Sequence, residues 1–142
     1  MSTAKWSAAG TLGSDISAGT LNSLAAGATS AFFTYDNSAN RDLYAVVQFD
    51  LGSITTVTGA SITLRQFVVP TGGTVPDNTG GVAGGYEANE PLTIGASAKV
   101  GNFRIRLAGP YSLRFCVTNN TTVAFAASGN SIRVITHNED GT

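Results

Sequence analysis

Residues 102–118 read NFRIRLAGPYSLRFCVT, and the alternation within this stretch decides the fold class. Every second residue from Phe103 to Leu107 is apolar, and the same holds from Leu113 to Val117. Successive side chains of a β-strand point to opposite faces, so a period of two predicts two half-buried strands. The same alternation recurs in three further segments, at residues 43–50, 61–65 and 131–136.

The two strands of this stretch are separated by the short connection Ala108-Gly109-Pro110. Glycine and proline are strong turn formers, and a tight turn between two alternating runs is typical of a hairpin. We therefore expect the two strands to pair with each other as an antiparallel hairpin.

The other strand-like runs are also separated by clusters of turn formers, at residues 36–40, 51–53, 119–122 and 128–130. Strong helix formers are scarce, while Gly, Ser, Thr and Val are abundant, which disfavours helices. Short strands separated by turns predict an all-β protein: a single-domain antiparallel β-sandwich or jelly roll of about seven to eight strands. Residues 123–126 are a candidate for a further short strand.

The length of 142 residues suits one domain, so we assign residues 1–142 to a single β domain. Residues 70–91 are predicted to form a long Gly-rich loop. This loop is either a mobile surface segment or an arm that becomes ordered only against a neighbouring subunit. Residues 1–20 are a possible extended N-terminal arm, and residues 17–24 are interpreted as an edge strand or as part of such an arm.

The composition argues against several classes of partner. The net charge is −1, so no basic field attracts nucleic acid, and no apolar run is long enough to span a membrane. The N-terminus lacks the apolar core of a secretory signal, and a single cysteine excludes an intrachain disulfide, so we expect synthesis in the cytoplasm. Charged residues make up only 12% of the chain, which suits a protein that stays packed against other proteins.

Residues able to carry out catalysis are few. His137 is the only histidine and Cys116 the only cysteine, so we assemble neither a zinc site nor a nucleophile–histidine pair from the sequence. We interpret Cys116 as a small, packed strand residue. Glu87 and Glu90 lie close together near the end of the Gly-rich loop. Paired carboxylates can serve glycoside hydrolysis if they face one cleft, but we interpret these two as solvated loop charges. We therefore predict no catalytic, cofactor-binding or metal-binding residues, and no enzyme.

Two weaker patterns have alternative interpretations. Asp36, Ser38, Asn40 and Asp42 place oxygen atoms at alternate positions, as in the first half of a calcium loop, but the central glycine and the closing acid are missing. We favour an Asx turn, in which these side chains bond to their own backbone. Tyr35 and Tyr44 flank this turn and are the best case for a sugar-binding surface, although dispersed aromatic residues more often belong to a core or an interface.

Three segments resemble small structural proteins of tailed bacteriophage virions. These are Leu21-Asn22-Ser23-Leu24, then Asp36-Asn37 followed by Asp42-Leu43-Tyr44, and the late stretch VAFAASGNSI at residues 123–132. The similarity extends from about residue 21 to residue 138 and departs most in the Gly-rich stretch 72–85. It implies a β-sandwich module of the kind that decorates or cements a capsid, commonly as a trimer, and it implies no catalytic residues.

The resemblance leads to two hypotheses. The first is a non-enzymatic capsid decoration or cement protein on the phage head, which binds the major capsid protein or other virion proteins, and itself as a homotrimer. The second is a tail or fibre β-module that binds host glycans. Such roles use aromatic anchors at interfaces. The predicted interface residues are Trp6, Phe32, Phe33, Tyr35 and Tyr44; of the adjacent Phe32 and Phe33, one should enter the core and the other should face a partner.

Overall fold

The computed structural model describes residues 5–6, 10–52, 54, 60–69, 86–87, 92–94 and 100–140. Within these residues all regular structure is β, and no helix long and apolar enough to cross a membrane is found there. The strands are β1 (Lys5–Trp6), β2 (Phe33–Asp36), β3 (Tyr44–Asp50), β4 (Ala60–Val69), β5 (Tyr86–Glu87), β6 (Leu92–Ile94), β7 (Val100–Arg106), β8 (Ser112–Asn119), β9 (Ser131–His137) and β10 (Glu139–Asp140). Six of them contain four or more residues.

The strands form two main antiparallel sheets. The large sheet has the order β2-β8-β4-β5, and β6 also pairs with β4. The small sheet has the order β7-β3-β9, while β1 and β10 form a separate pair. The two sheets pack face to face in a sandwich-like arrangement, which confirms the predicted all-β, antiparallel class. Each segment predicted from alternation as a strand lies within or overlaps one of β3, β4, β7, β8 and β9.

The core lies between the two sheets and is built from the apolar residues of each alternating run. In the small sheet, Phe49 and Phe103 pack with ring centroids 5.8 Å apart. In the large sheet, Phe33 and Phe115 stack with centroids 6.1 Å apart. Burial of such side chains is the main favourable contribution to folding, at about 25 cal/mol per Å² of apolar area removed from water. The remaining core strand residues include Ala45, Val47, Ile62, Leu64, Ile105, Leu113, Val117, Ile132 and Val134.

The predicted hairpin between the two strands of residues 102–118 is wrong. Strand β7 pairs with β3 in the small sheet, whereas β8 pairs with β2 and β4 in the large sheet. The connection between them therefore crosses from one sheet to the other. Gly109 adopts a φ of 143°, and Pro110 has no N–H to donate to a ladder. The polar backbone groups of this turn are satisfied from outside it, since the side-chain amide of Asn37 donates to the Gly109 carbonyl at 3.0 Å.

Residues 17–24 form consecutive turns, so their interpretation as an edge strand or extended arm is wrong. Backbone bonds close these turns from Thr20 N to Ser17 O and from Leu24 N to Leu21 O. Leu21 and Leu24 are buried in the core. Three residues in this segment, Ala18, Gly19 and Ser23, have positive φ, which is incompatible with a strand.

Residues 123–126 also form no strand. Their backbone is held instead by a loop contact, in which the Phe125 N–H donates to the Leu24 carbonyl at 3.0 Å. The Phe125 ring is buried, which explains the apolar character of this short run.

The described part of the predicted N-terminal arm lies along β9. Gly13 N donates to Val134 O at 3.1 Å and Ile16 N donates to Ile132 O at 2.8 Å, so this segment covers one edge of the small sheet. Nearer the terminus, β1 pairs with β10. Of the predicted Gly-rich loop, residues 70–85 and 88–91 lie outside the described residues, and only β5 within it is described, paired with β4.

Candidate interaction surface

The outward side of the small sheet is an open surface on which arginine, aromatic and aliphatic side chains lie together. Because inward residues of its three strands are buried, the residues between them point to solvent. We call this surface the basic face. It consists of Tyr44, Val46 and Gln48 on β3, Asn102, Arg104 and Arg106 on β7, and Arg133, Ile135 and His137 on β9.

The pairing register arranges these side chains in three rows across the sheet. Tyr44 lies between Arg106 and His137, Val46 between Arg104 and Ile135, and Gln48 between Asn102 and Arg133. Neighbouring strands are about 4.8 Å apart, and alternate residues along a strand about 6.7 Å. The centre of the face is therefore apolar, at Val46 and Ile135, and arginines lie on either side of it.

A shallow depression of about 510 Å³ lies over the first two rows, lined by Tyr44, Ala45, Val46, Arg104, Ile105, Arg106 and His137. A second depression, of about 380 Å³, adjoins it at Arg106 and is lined also by Leu43, Leu107, Ala108 and Gly109. Leu43 is 42% exposed and contributes apolar surface to this second depression. The apolar character of the basic face therefore continues onto the end of the sandwich.

The backbone that carries the basic face is fixed from the interior. Gln66, fully buried on β4 of the large sheet, donates from Nε2 to the Arg106 carbonyl at 3.1 Å, and its Oε1 accepts from the Ala108 N–H at 3.3 Å. At the adjacent loop, buried Asn37 donates to the carbonyls of Asp42 and Gly109 and accepts from the Asp42 N–H. These amides hold the ends of β3 and β7 in place.

Tyr44 is already engaged by neighbours within the protein. Its ring stacks on His137 with centroids 5.5 Å apart and planes 16° apart, and its hydroxyl donates to Glu139 Oε1 at 2.9 Å. The hydrogen bond to Glu139 and the charge of that carboxylate raise the pKa of Tyr44. One ring face is thus covered, so Tyr44 does not present a free aromatic platform on that side.

The outward side of the large sheet differs, since Thr63, Phe67 and Cys116 on it are buried. Phe32 packs edge-on against Phe67 with centroids 5.2 Å apart, and the Arg114 guanidinium lies 5.9 Å from the Phe32 ring centroid. Burial raises the pKa of the Cys116 thiol to about 11, against the opposing charge of Arg65. The prediction that Cys116 is a packed strand residue is confirmed.

The five residues predicted from sequence as interface anchors do not form one surface. Phe33 is buried in the core, and Tyr35 packs against the same core from the next inward position of β2. Phe32 lies on the opposite side of the large sheet, as the alternation of neighbouring residues predicts. Tyr44 lies on the basic face, while the backbone of Trp6 pairs with Glu139 in the β1–β10 ladder.

The proposed sugar platform requires Tyr35 and Tyr44 to share a surface, and the structure separates them. Tyr35 points into the sandwich from the large sheet, whereas Tyr44 points outward from the small sheet. Their proximity along the chain, on either side of one turn, therefore does not bring their rings to the same face.

Residues 36–42 are organised as the favoured Asx-turn interpretation predicted. Asp36 Oδ1 accepts from Ser38 N at 2.9 Å, and Asn37 Oδ1 accepts from Asp42 N at 2.9 Å. Among the described residues, no three His, Cys, Asp or Glu side chains are grouped so as to hold a metal ion. Glu90 lies outside the described residues, and only the backbone pairing of Glu87 with Arg65 is described.

The arginines of the basic face were missed as site residues by sequence reasoning. Arg104 and Arg106 are visible in the sequence as the polar positions of an alternating strand. Their position beside Val46 and Ile135 depends on the register of β3 with two strands from distant parts of the chain. Comparison with known proteins adds no assignment, since neither a protein-family model nor a curated protein matches the chain.

Proposed function

We propose that this chain is a non-enzymatic structural protein of a tailed-phage virion, a capsid decoration protein that binds the major capsid protein on the head surface and itself as a homotrimer. The sequence resemblance supports this role, and the observation that carries it is the basic face. An open sheet surface with an apolar centre and a polar, arginine-containing border has the composition typical of protein-binding surfaces. The same proposal includes a jelly-roll connectivity and a count of seven to eight strands. It also includes synthesis of the chain in the host cytoplasm before assembly.

The physical requirement of such a role is many weak contacts that act together. A decoration protein is present in many copies on a symmetric shell, so modest affinity per contact adds up through avidity. A rigid sandwich suits this task, because little conformational entropy is lost when a preformed sheet face docks. The buried amides of Gln66 and Asn37, which fix the strands of the basic face, supply that rigidity.

The second candidate is a tail or fibre module that binds host glycans. The depression of about 510 Å³ beside Tyr44 and Arg106 favours it, since a concave site with polar groups suits a small ligand. The stacking of Tyr44 on His137 weighs against it, because sugar rings usually dock on an open aromatic face.

The deciding experiment is cryo-electron microscopy of virions that contain the chain, compared with virions from a deletion strain. We expect sandwich-sized density at capsomer junctions that is missing from the deletion heads, and earlier release of DNA from those heads on heating. Density on the tail or fibres would favour the second candidate, and absence of the chain from purified virions would overturn both. Sedimentation tests the trimer, which a monomer at high concentration would contradict.

A further inference from the structure

We propose that the basic face binds a carboxylate-rich segment of a partner protein, with Arg104 and Arg106 as the groups that recognise the carboxylates. This inference rests on the proposed function, because it specifies the chemistry of the partner on the shell. The occupant is an acidic protein segment rather than a nucleic acid, a glycan or a second copy of this face.

The basic face carries positive charge on three arginines. Arg104, Arg106 and Arg133 are exposed and account for three of the eight Lys and Arg residues of a chain whose net charge is −1. Arg133 interacts electrostatically with Asp15, whereas Arg104 and Arg106 form no ion pair with any residue that the structure describes. Two arginines whose Cα atoms are about 6.7 Å apart on one side of one strand therefore have unused carboxylate-binding capacity.

The described acidic groups near the basic face do not pair with Arg104 or Arg106. Asp50, on the same side of β3, is two rows away from Arg104, or about 13 Å, which exceeds the Debye length of about 10 Å at 0.1 M salt. Glu139 accepts the hydrogen bond of Tyr44. The described carboxylates around the face therefore form no ion pair with its two β7 arginines, which leaves both guanidinium groups able to bind a partner carboxylate.

The centre of the basic face is apolar. Val46 and Ile135 are half-buried and adjacent across the strands, and Leu43 continues the apolar area past Arg106. Apolar contact at the centre of an interface excludes water, which strengthens charged hydrogen bonds at its border. A segment that carries both apolar and acidic side chains would satisfy both parts of the face.

Other occupants fit less well. Two copies that met through this face would place arginines against arginines, since a two-fold interface pairs a surface with itself. Nucleic-acid binding depends on many phosphate contacts, and the chain as a whole is slightly acidic. A stacked sugar would need the Tyr44 ring face that His137 already covers. An acidic protein segment requires neither facing arginines, nor many phosphate contacts, nor an open ring face on Tyr44.

The test uses the full chain and fluorescein-labelled decaglutamate as the probe, with heparin as a second probe for sulfated polysaccharide. We expect decaglutamate binding to weaken at least about tenfold in the double variant Arg104→Ala/Arg106→Ala, and to weaken as salt is raised. The matched control is Arg41→Ala/Arg114→Ala, which removes the same charge from other surfaces and should bind as the unmodified chain does. Arg104→Lys/Arg106→Lys, which keeps the charge but loses the planar fork, should bind with intermediate affinity.

Equal weakening in both double-alanine variants would show a non-specific charge effect and overturn the proposal. Heparin binding that depends on Arg104 and Arg106, in the absence of decaglutamate binding, would overturn it in favour of a sulfated glycan. A different result would contradict only the proposed role as a capsid decoration protein. In that case the chain would bind decaglutamate through these arginines but would not bind to heads from the deletion strain. If Arg104→Ala/Arg106→Ala binds such heads normally, the head role stands and the assignment of the basic face fails.

Discussion

Gln66 on the large sheet and Arg106 on the small sheet are joined across the interior, where the Gln66 side-chain amide donates to the Arg106 carbonyl at 3.1 Å. The Gln66 carbonyl oxygen accepts in turn from the Ala108 N–H. One buried side chain thus satisfies both a strand carbonyl and a turn N–H of the opposite sheet. This internal link holds the backbone of Arg106, whose side chain lies on the basic face.

We predict that Gln66→Leu destabilises the protein by about 1–3 kcal/mol, because it leaves the part-buried Arg106 carbonyl and Ala108 N–H without these partners. Urea unfolding followed by circular dichroism measures this loss. Gln48→Leu is the matched control: the chemical change is the same, but Gln48 lies on the basic face, so the expected change is within about 0.5 kcal/mol. Equal effects of the two substitutions would show that the interior link contributes nothing specific.

Asn119 performs a similar task at the other end of the sandwich. Its Nδ2 donates to the carbonyls of Leu24, Ala25 and Val123, and its Oδ1 accepts from the Thr121 N–H. The residue is fully buried, so the bonds are made away from water. A single amide therefore joins the turn segment before β2 to the loop after β8.

We predict that Asn119→Ala costs about 2–3 kcal/mol, since several backbone groups lose their partner at once. The adjacent Asn120→Ala is the control, because Asn120 is exposed and its side chain donates to only one group, the Thr63 hydroxyl. We expect a loss of less than about 1 kcal/mol there. Thermal or urea unfolding measures both, and a larger loss at Asn120 would contradict the prediction.

The residue alternation predicted where strands lie and which side chains enter the core, because both follow from the local period of two. Phe103 and Phe115 are buried as that period requires. The alternation could not predict which strands pair, since β7 and β8 are assigned to different sheets by contacts remote in sequence. Those contacts include the bonds from Gln66 and Asn37 to the turn between them.

The candidate site was less accessible to sequence reasoning for the same reason. Aromatic residues suggested anchors, but Phe33 is used in the core and Tyr44 is held by His137 and Glu139. Arg104 and Arg106 lie beside an apolar patch only because the register of the small sheet places Val46 next to them. No local pattern contains that information.

Cys116 is predicted to be unreactive in the folded protein. It is fully buried, and burial raises the pKa of its thiol to about 11, so at about pH 8 the reactive thiolate is almost absent. A thiol-specific chromogenic reagent should therefore modify the native chain only at the rate of unfolding and modify the urea-unfolded chain rapidly. Stoichiometric labelling of the native chain within seconds would contradict the described burial.

The raised pKa of Cys116 also predicts a pH dependence of stability. The folded state favours the protonated thiol, so this contribution is fully present below the unfolded value of about 8.5 and is lost as the pH rises toward about 11. Cys116→Ala removes it. Between about pH 7 and about pH 10, the free energy of unfolding measured in urea should fall less in this variant than in the unmodified chain. Equal falls in the two proteins would refute the link between the Cys116 pKa and stability.

Asp15 fastens the N-terminal segment to β9, and it predicts a loss of stability in acid. Its Oδ1 accepts from the N–H groups of Ile132 and Ser17, both at 2.9 Å, and its Oδ2 accepts from the Ser17 hydroxyl. Partial burial opposes ionisation, but these hydrogen bonds outweigh it and lower the pKa of Asp15 below its usual value. Its stabilising contribution is therefore present above about pH 4 and is lost as the pH falls through the folded-state value.

We predict that the free energy of unfolding falls less between about pH 6 and about pH 3 in Asp15→Asn than in the unmodified chain, because the substituted side chain no longer titrates. It should also speed amide hydrogen exchange at Gly13 and Ile16, whose N–H groups bond to β9. Asp36→Asn is the control, because that carboxylate is exposed and closes only its own turn with Ser38. Faster exchange at Gly13 and Ile16 in Asp36→Asn as well would mean that the segment is not held by Asp15.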